Sequence, residues 1–132
     1  MQIKLTDDIA KRSHVAEALQ VFCDVHGLDD EVKYAADLAL EEHLTNLATH
    51  GGAHEMCVNC RLEGDFLLIE VEDDGVTFDP ASLAPVDITV PLDQKPVGGL
   101  GIHLMKQFLD ELSYFRRAGR NVLMMKKRVN AA

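Results

Sequence analysis

Phe66-Leu67-Leu68-Ile69-Glu70-Val71-Glu72-Asp73-Asp74-Gly75 is the stretch that decides the fold. Leu67, Ile69 and Val71 alternate with Leu68, Glu70 and Glu72, and successive side chains of an extended chain point to opposite faces. The spacing predicts a strand over about residues 66–72 with one face in a core. Continuing the alternation puts Asp73 on the apolar face, where a carboxylate needs a hydrogen-bond donor. The preceding stretch, about 54–62, places Met56, Val58, Cys60 and Leu62 on one face, and Glu63-Gly64-Asp65 reads as the hairpin turn between the two strands.

Working upstream, residues 1–6 read as a short first strand. Ile9, Ala16, Leu19, Phe22 and Cys23 recur at helical spacing, predicting an amphipathic helix over about 8–26 that Gly27 stops. Asp29-Asp30-Glu31 put carboxylates where a helix macrodipole favours them, opening a second helix through Val32, Ala35, Ala36, Ala39, Leu40, Leu44, Leu47 and Ala48 to Gly51-Gly52. Downstream, all four prolines (Pro80, Pro85, Pro91, Pro96) fall in residues 79–97. Irregular loops of that length are usually lids or binding loops. A helix resumes near 100–109, and a last hairpin, about 112–117 and 121–127, turns at Ala118-Gly119-Arg120. This order predicts an α+β fold: a two-layer α/β sandwich with an antiparallel or mixed sheet and helices on one face.

The chain has 132 residues, 47% of them hydrophobic, which suits one domain with one core. Thirteen Lys and Arg against 22 Asp and Glu give a net charge of −9, which repels phosphate backbones and argues against direct nucleic-acid binding. No apolar stretch approaches the ~18 residues of a membrane span. The start lacks the apolar core of a signal peptide, and three cysteines cannot all pair, so a reducing cytoplasm is expected. Arg116, Arg117, Arg120, Lys126, Lys127 and Arg128 cluster near the end; a solvated hairpin is the plainer reading, a partner-docking patch the other.

Three motifs carry chemistry. Glu42 and Asn46, four apart on the second helix, share a face with Leu38 and His50. A carboxylate and an amide so stacked can hold a hydroxyl and a metal ion side by side, and an amide oxygen suits Mg2+; an exposed polar stripe is the plain alternative. Asp73, inward beside Gly75, could meet an exocyclic amine while the glycine lets a ring approach the backbone; an ordinary Asp-Gly turn is the alternative. Gly98-Gly99-Leu100-Gly101 opens a helix and exposes N–H groups suited to phosphate oxygens. It is not a P-loop, because no Gly-Lys-Ser/Thr follows, and a glycine-rich hinge is the alternative.

The order and spacing of these motifs resemble the histidine-kinase-type (Bergerat) ATPase superfamily over nearly the whole chain. Glu42-His43-Leu44-Thr45-Asn46 is similar to its N box, Asp73-Asp74-Gly75-Val76-Thr77-Phe78 to its first glycine box and Gly99-Leu100-Gly101 to its second. Phe78-Asp79-Pro80, and Gly98-Gly99-Leu100-Gly101-Ile102-His103-Leu104-Met105 followed by Asp110-Glu111, look like the small anti-sigma-factor serine/threonine kinases of bacterial partner switching.

The resemblance implies a single ATP-binding domain over residues 1–132 with a lid at about 79–97, and ATP and Mg2+ as cofactors. It implies Glu42 as the general base for a substrate serine hydroxyl, Asn46 as an ATP-binding residue and Mg2+ ligand, and Asp73 as the partner of the adenine amine. Gly75, Phe78, Gly98, Gly99, Leu100 and Gly101 complete the implied ATP-binding set, with Gly75, Gly99 and Gly101 shaping the pocket and lid hinge. The implied partners are an anti-sigma-factor antagonist as protein substrate, a sigma factor that is sequestered, and a second copy in a homodimer. The alternative is a nucleotide-dependent anti-sigma adaptor without kinase activity, against which Glu42 argues, since a pure binder needs no base. A detached ATP-binding half of a histidine kinase is a third reading. The sequence departs from the pattern at Thr77, where many members have a second glycine, and at Gly119-Arg120-Asn121, where many have a threonine near the adenine.

Other candidates read as structural. Cys57 and Cys60, with His54 nearby, form a C-x-x-C, but strand positions three apart face opposite sides. His43 lies about 100° around the helix from Glu42, and Cys23 belongs in the core.

Overall fold

The structure, a computed structural model, describes residues 2–6, 12–49, 52–76 and 106–129. The elements run β1 (Gln2–Thr6), α1 (Arg12–Val25), α2 (Asp30–Thr49), β2 (Glu55–Glu63), β3 (Phe66–Asp73), β4 (Glu111–Arg117) and β5 (Arg120–Arg128). The strands form one sheet in the order β1-β2-β3-β5-β4. Every pairing is antiparallel, so the mixed alternative is set aside among the described residues.

The register lines up the apolar row that the alternation predicted. Cys60 pairs with Ile69 and Val58 with Val71, and across the next ladder Ile69 pairs with Met125 and Val71 with Leu123. β5 carries Val122, Leu123 and Met125 fully buried, and so takes the inner place beside β3; β4, mostly exposed, becomes the edge. α2 covers the row, packing on β3 and β5, with α1 against α2. Val15, Leu19 and Cys23 of α1 and Ala36, Ala39, Leu40, Leu44 and Leu47 of α2 join the sheet residues in one buried cluster. Truncating a fully buried leucine such as Leu44 to alanine would cost about 2–5 kcal/mol.

The boundaries have local causes. α1 ends in a glycine cap closed by two hydrogen bonds: the Gly27 N–H donates to Asp24 O at 3.1 Å and the Leu28 N–H to Cys23 O at 2.9 Å, with Gly27 at φ 66°. Residues 8–11 of the expected helix lie outside the described residues. α2 is capped by Asp29, whose Oδ1 accepts the Val32 N–H at 2.9 Å. Both hairpin turns are tighter than the three residues read from sequence: Gly64-Asp65 joins β2 to β3, and Ala118-Gly119 joins β4 to β5. Two-residue turns win because left-handed backbone at the turn matches strand twist; Ala118 and Gly119 adopt φ 53° and 77°. Among the described residues no helix is long and apolar enough to cross a membrane.

Candidate functional site

Asp73 is the last residue of β3 and faces the core, 2% exposed, opposite Met56 on β2 and Asn121 on β5. Its Oδ1 accepts the Gly75 N–H at 2.8 Å and the Asn121 Nδ2–H at 3.1 Å. Burial pushes the carboxyl above its usual range, while the Asn121 and Gly75 hydrogen bonds pull it back. Both bonds land on one oxygen. Among the described residues no donor sits on Oδ2, the oxygen that an amine-bearing ring could use.

Asn121 is the residue that motif reading did not place in the site. Its side-chain N–H groups also donate to Gly75 O at 3.2 Å and Val76 O at 2.8 Å, and its Oδ1 accepts from the Tyr114 hydroxyl and from Arg116 at 2.7 Å. The signal in the sequence is positional only: Asn121 falls within Gly119-Arg120-Asn121, the stretch at which the chain departs from the family pattern it resembles. Inward-facing polarity on a strand otherwise buried at Val122, Leu123 and Met125 is the physical mark of such a residue.

Asp74 turns the other way. Its Oδ1 accepts the His54 and Glu55 N–H groups at 2.8 and 2.9 Å, which hold its carboxyl below the usual range and tie the end of β3 to the start of β2. The Ala53 N–H reaches back to Leu47 O at 3.4 Å. Through residues 53, 54 and 74, the last turns of α2 are thus fastened to the strand end that carries Asp73.

Those turns carry Glu42 and Asn46. Both are half-buried and flank the buried arc of α2 that runs through Ala35, Ala39, Leu40, Leu44 and Leu47. His43 sits in the middle of that arc at 3% exposure, turned into the core and away from the Glu42 side. Burial lowers its pKa to about 4, and neither ring nitrogen has a hydrogen-bond partner among the described residues. The hydrogen bonds through residues 53, 54 and 74 link the helix turns that carry Glu42 and Asn46 to the strand end that carries Asp73 and Gly75. Phe78, Gly98, Gly99, Leu100, Gly101, Thr77 and the 79–97 segment lie outside the described residues.

The remaining cysteines and cations have structural places. Cys60 is in the core with its pKa raised to about 12 by burial, whereas Cys57 lines a polar hollow on the opposite face with Asn59, Glu70, Glu72 and Arg117. Among the described residues no group of three or more His, Cys, Asp or Glu could hold a metal ion. Arg117 pairs with Glu70 and Glu72, both at 3.0 Å, Arg120 with Glu55 at 2.7 Å and Lys126 with Glu111 at 3.0 Å, so half of the six-residue basic cluster is matched by the chain's own carboxylates.

Comparison with known proteins meets this geometry. The serine-protein kinase RsbW of Bacillus cereus (strain AH187) is 32% identical over 96 residues, 67% of this chain and 60% of the relative. The proteins of the same name from Bacillus cereus (strain G9842) and Bacillus mycoides (strain KBAB4) are 33% and 32% identical with the same coverage. The chain therefore spans 60% of the length of these relatives. The crystal structure of the RsbU and RsbW domains of a Mycobacterium tuberculosis protein superposes with a TM-score of 0.68 at 17% identity, over 98% of this chain and 32% of that one. The Acinetobacter baumannii histidine kinase AdeS superposes with a TM-score of 0.55 at 12% identity, over 98% and 68%. These two likenesses carry the fold. The histidine kinase-like ATPase domain profile matches residues 6–127, and the chain belongs to that family.

Proposed function

We propose that this chain, acting as one domain in the cytoplasm, is an ATP-dependent serine/threonine protein kinase that phosphorylates an anti-sigma-factor antagonist and sequesters a sigma factor. The observation that carries the reading is the buried Asp73 carboxylate, whose Oδ1 accepts two hydrogen bonds and whose Oδ2 accepts none from the described residues, on a strand end tied through residues 53, 54 and 74 to the last turns of α2. The names of the RsbW relatives supply the substrate class by similarity.

The donor set fits Mg-ATP. Asp73 Oδ2 would accept the adenine amine, and Gly75 would let the ring lie against the backbone. The Asn46 amide oxygen would hold Mg2+, which when bound neutralises charge on the phosphate oxygens. Glu42 takes the proton of the substrate serine hydroxyl as that oxygen attacks the γ-phosphorus. The bond to the β,γ-bridging oxygen breaks and its electron pair leaves on ADP. Such a transfer needs positioning, a metal and a base more than covalent help from the protein.

The test is incubation of the chain with γ-labelled ATP, Mg2+ and a single-domain antagonist encoded beside it. Label on an antagonist serine, absent without Mg2+, is the expected result. Nucleotide binding without transfer to any such partner would favour the adaptor, and failure to bind ATP would overturn both.

A further inference from the structure

The Asn121 amide is locked in one orientation. Its Nδ2 faces three acceptors, Asp73 Oδ1, Gly75 O and Val76 O, at 3.1, 3.2 and 2.8 Å. Its Oδ1 faces two donors, the Tyr114 hydroxyl and the Arg116 guanidinium. Exchanging nitrogen and oxygen would set a carbonyl against three acceptors and an NH2 group against two donors, so no flipped state competes. Arg116 is itself anchored on Gly119 O at 2.7 Å. A hydroxyl or a water at the same place could rotate to donate or accept. The Asn121 amide can only donate toward Asp73.

We propose that Asn121 is a positioning residue that sets base selectivity: it keeps Asp73 an obligate acceptor, so that the site takes a 6-amino purine and turns away a 6-oxo purine. This rests on the reading of Asp73 as the base contact. With donors fixed on Oδ1, Oδ2, which accepts from no described residue, meets the N–H of a 6-amino group favourably, whereas the oxygen of a 6-oxo group would stand lone pair against lone pair. A neutral carboxyl could instead donate to that oxygen; burial raises the Asp73 carboxyl toward that form, and the Asn121 donor, with the Gly75 N–H and the Arg116 charge, pulls it back toward the ionised one. Holding Gly75 O and Val76 O as well, Asn121 fixes the backbone that follows β3 and therefore the direction of the carboxylate.

The test compares Mg-ATP with Mg-ITP, which differ at position 6 of the base and in the N1–H that the 6-oxo form carries beside it, by calorimetric titration of the full chain. Wild type should prefer ATP by about 100-fold or more, the scale on which a site built for one hydrogen-bond pattern rejects the other. Asn121→Asp sets two carboxylates side by side, which must share a proton. The shared proton can be donated to a 6-oxo group, so the ratio should fall to about 10-fold or less. If Asn121→Asp does not fold, Asn121→Ser, whose hydroxyl can rotate, carries the same readout with the same direction. A wild type without preference, or variants that lose both nucleotides by one factor with the ratio unmoved, would overturn the proposal and leave Asn121 a structural residue. Asp73→Asn separates the two levels. If it leaves ATP affinity unchanged, the base site lies elsewhere and the underlying reading falls too. If it loses ATP while the Asn121 variants keep the ratio, only the selectivity proposal falls.

Discussion

Asp73 and Asp74 are consecutive carboxylates with opposite duties: Asp73 is turned into the core against Asn121, while Asp74, exposed, ties β3 to the His54 and Glu55 N–H groups of the neighbouring segment. Their variants should therefore part. Asp73→Asn should weaken Mg-ATP binding by about 100-fold, the scale for a mismatched buried hydrogen bond, and so abolish most of the rise in melting temperature that a ligand binding only the folded state produces. Asp74→Ala should cost about 1 kcal/mol of stability, because water replaces the lost acceptor at an exposed site, with nucleotide affinity kept. Melting curves with and without Mg-ATP read both. Wild-type affinity in Asp73→Asn would remove Asp73 from the site.

His43 makes the fold acid-sensitive. Its folded pKa of about 4 lies below the ~6.5 of an unfolded histidine. Between those values the unfolded chain binds more protons than the folded one, so stability rises with pH across that window. The contribution is complete above pH ~6.5 and falls away toward pH 4, by roughly 3 kcal/mol at about 1.4 kcal/mol per unit. His43→Leu should flatten this slope in urea titrations at several pH values and should raise stability near neutral pH by about 1–2 kcal/mol, because it removes buried polar atoms with no described partner. An unchanged slope would assign the acid sensitivity to other groups.

Ala118 adopts a left-handed backbone at φ 53°, a conformation that costs a β-carbon about 1 kcal/mol. Asparagine or glycine at the first position of a two-residue turn of this kind carries less of that penalty. Ala118→Asn and Ala118→Gly should each raise stability by a few tenths to about 1 kcal/mol, read as a higher urea midpoint at constant slope. A drop in either midpoint would show that the turn relaxes away from this geometry.

Much of this was legible in the sequence because two periodicities are strong. The alternation of Leu67, Ile69 and Val71 gave β3 and the inward Asp73, and the i, i+4 spacing of Glu42 and Asn46 gave their common stripe on α2. Gly27 and Asp29 marked helix ends because capping is a short-range effect. Asn121 escaped because its role depends on a cross-strand pairing 48 residues away, which no local pattern encodes. The two-residue turn at Ala118 escaped because an alanine there opposes its own propensity and is held by the β4–β5 ladder. The insertion of β5 between β3 and β4 follows from which hairpin strand has the more apolar residues on both faces, a comparison between strands rather than a feature of either.

Glu42→Gln separates kinase from binder. The substitution keeps the size and hydrogen bonding of a half-buried helix residue and removes only the basicity of its carboxylate. As a general base, Glu42 matters only when the serine hydroxyl loses its proton, so ATP affinity should stay near wild type while transfer falls by roughly 10²–10⁴-fold. Asn46→Ala should behave differently, losing the part of ATP affinity that depends on Mg2+, because the amide oxygen would act in the bound state as well as during transfer. If Glu42 instead braced α2 or the metal, affinity and transfer would fall together. Titration and single-turnover transfer on one preparation of each variant distinguish these patterns. Wild-type transfer by Glu42→Gln would sink the assignment of the base, even with Asp73 and Asn46 confirmed as nucleotide contacts.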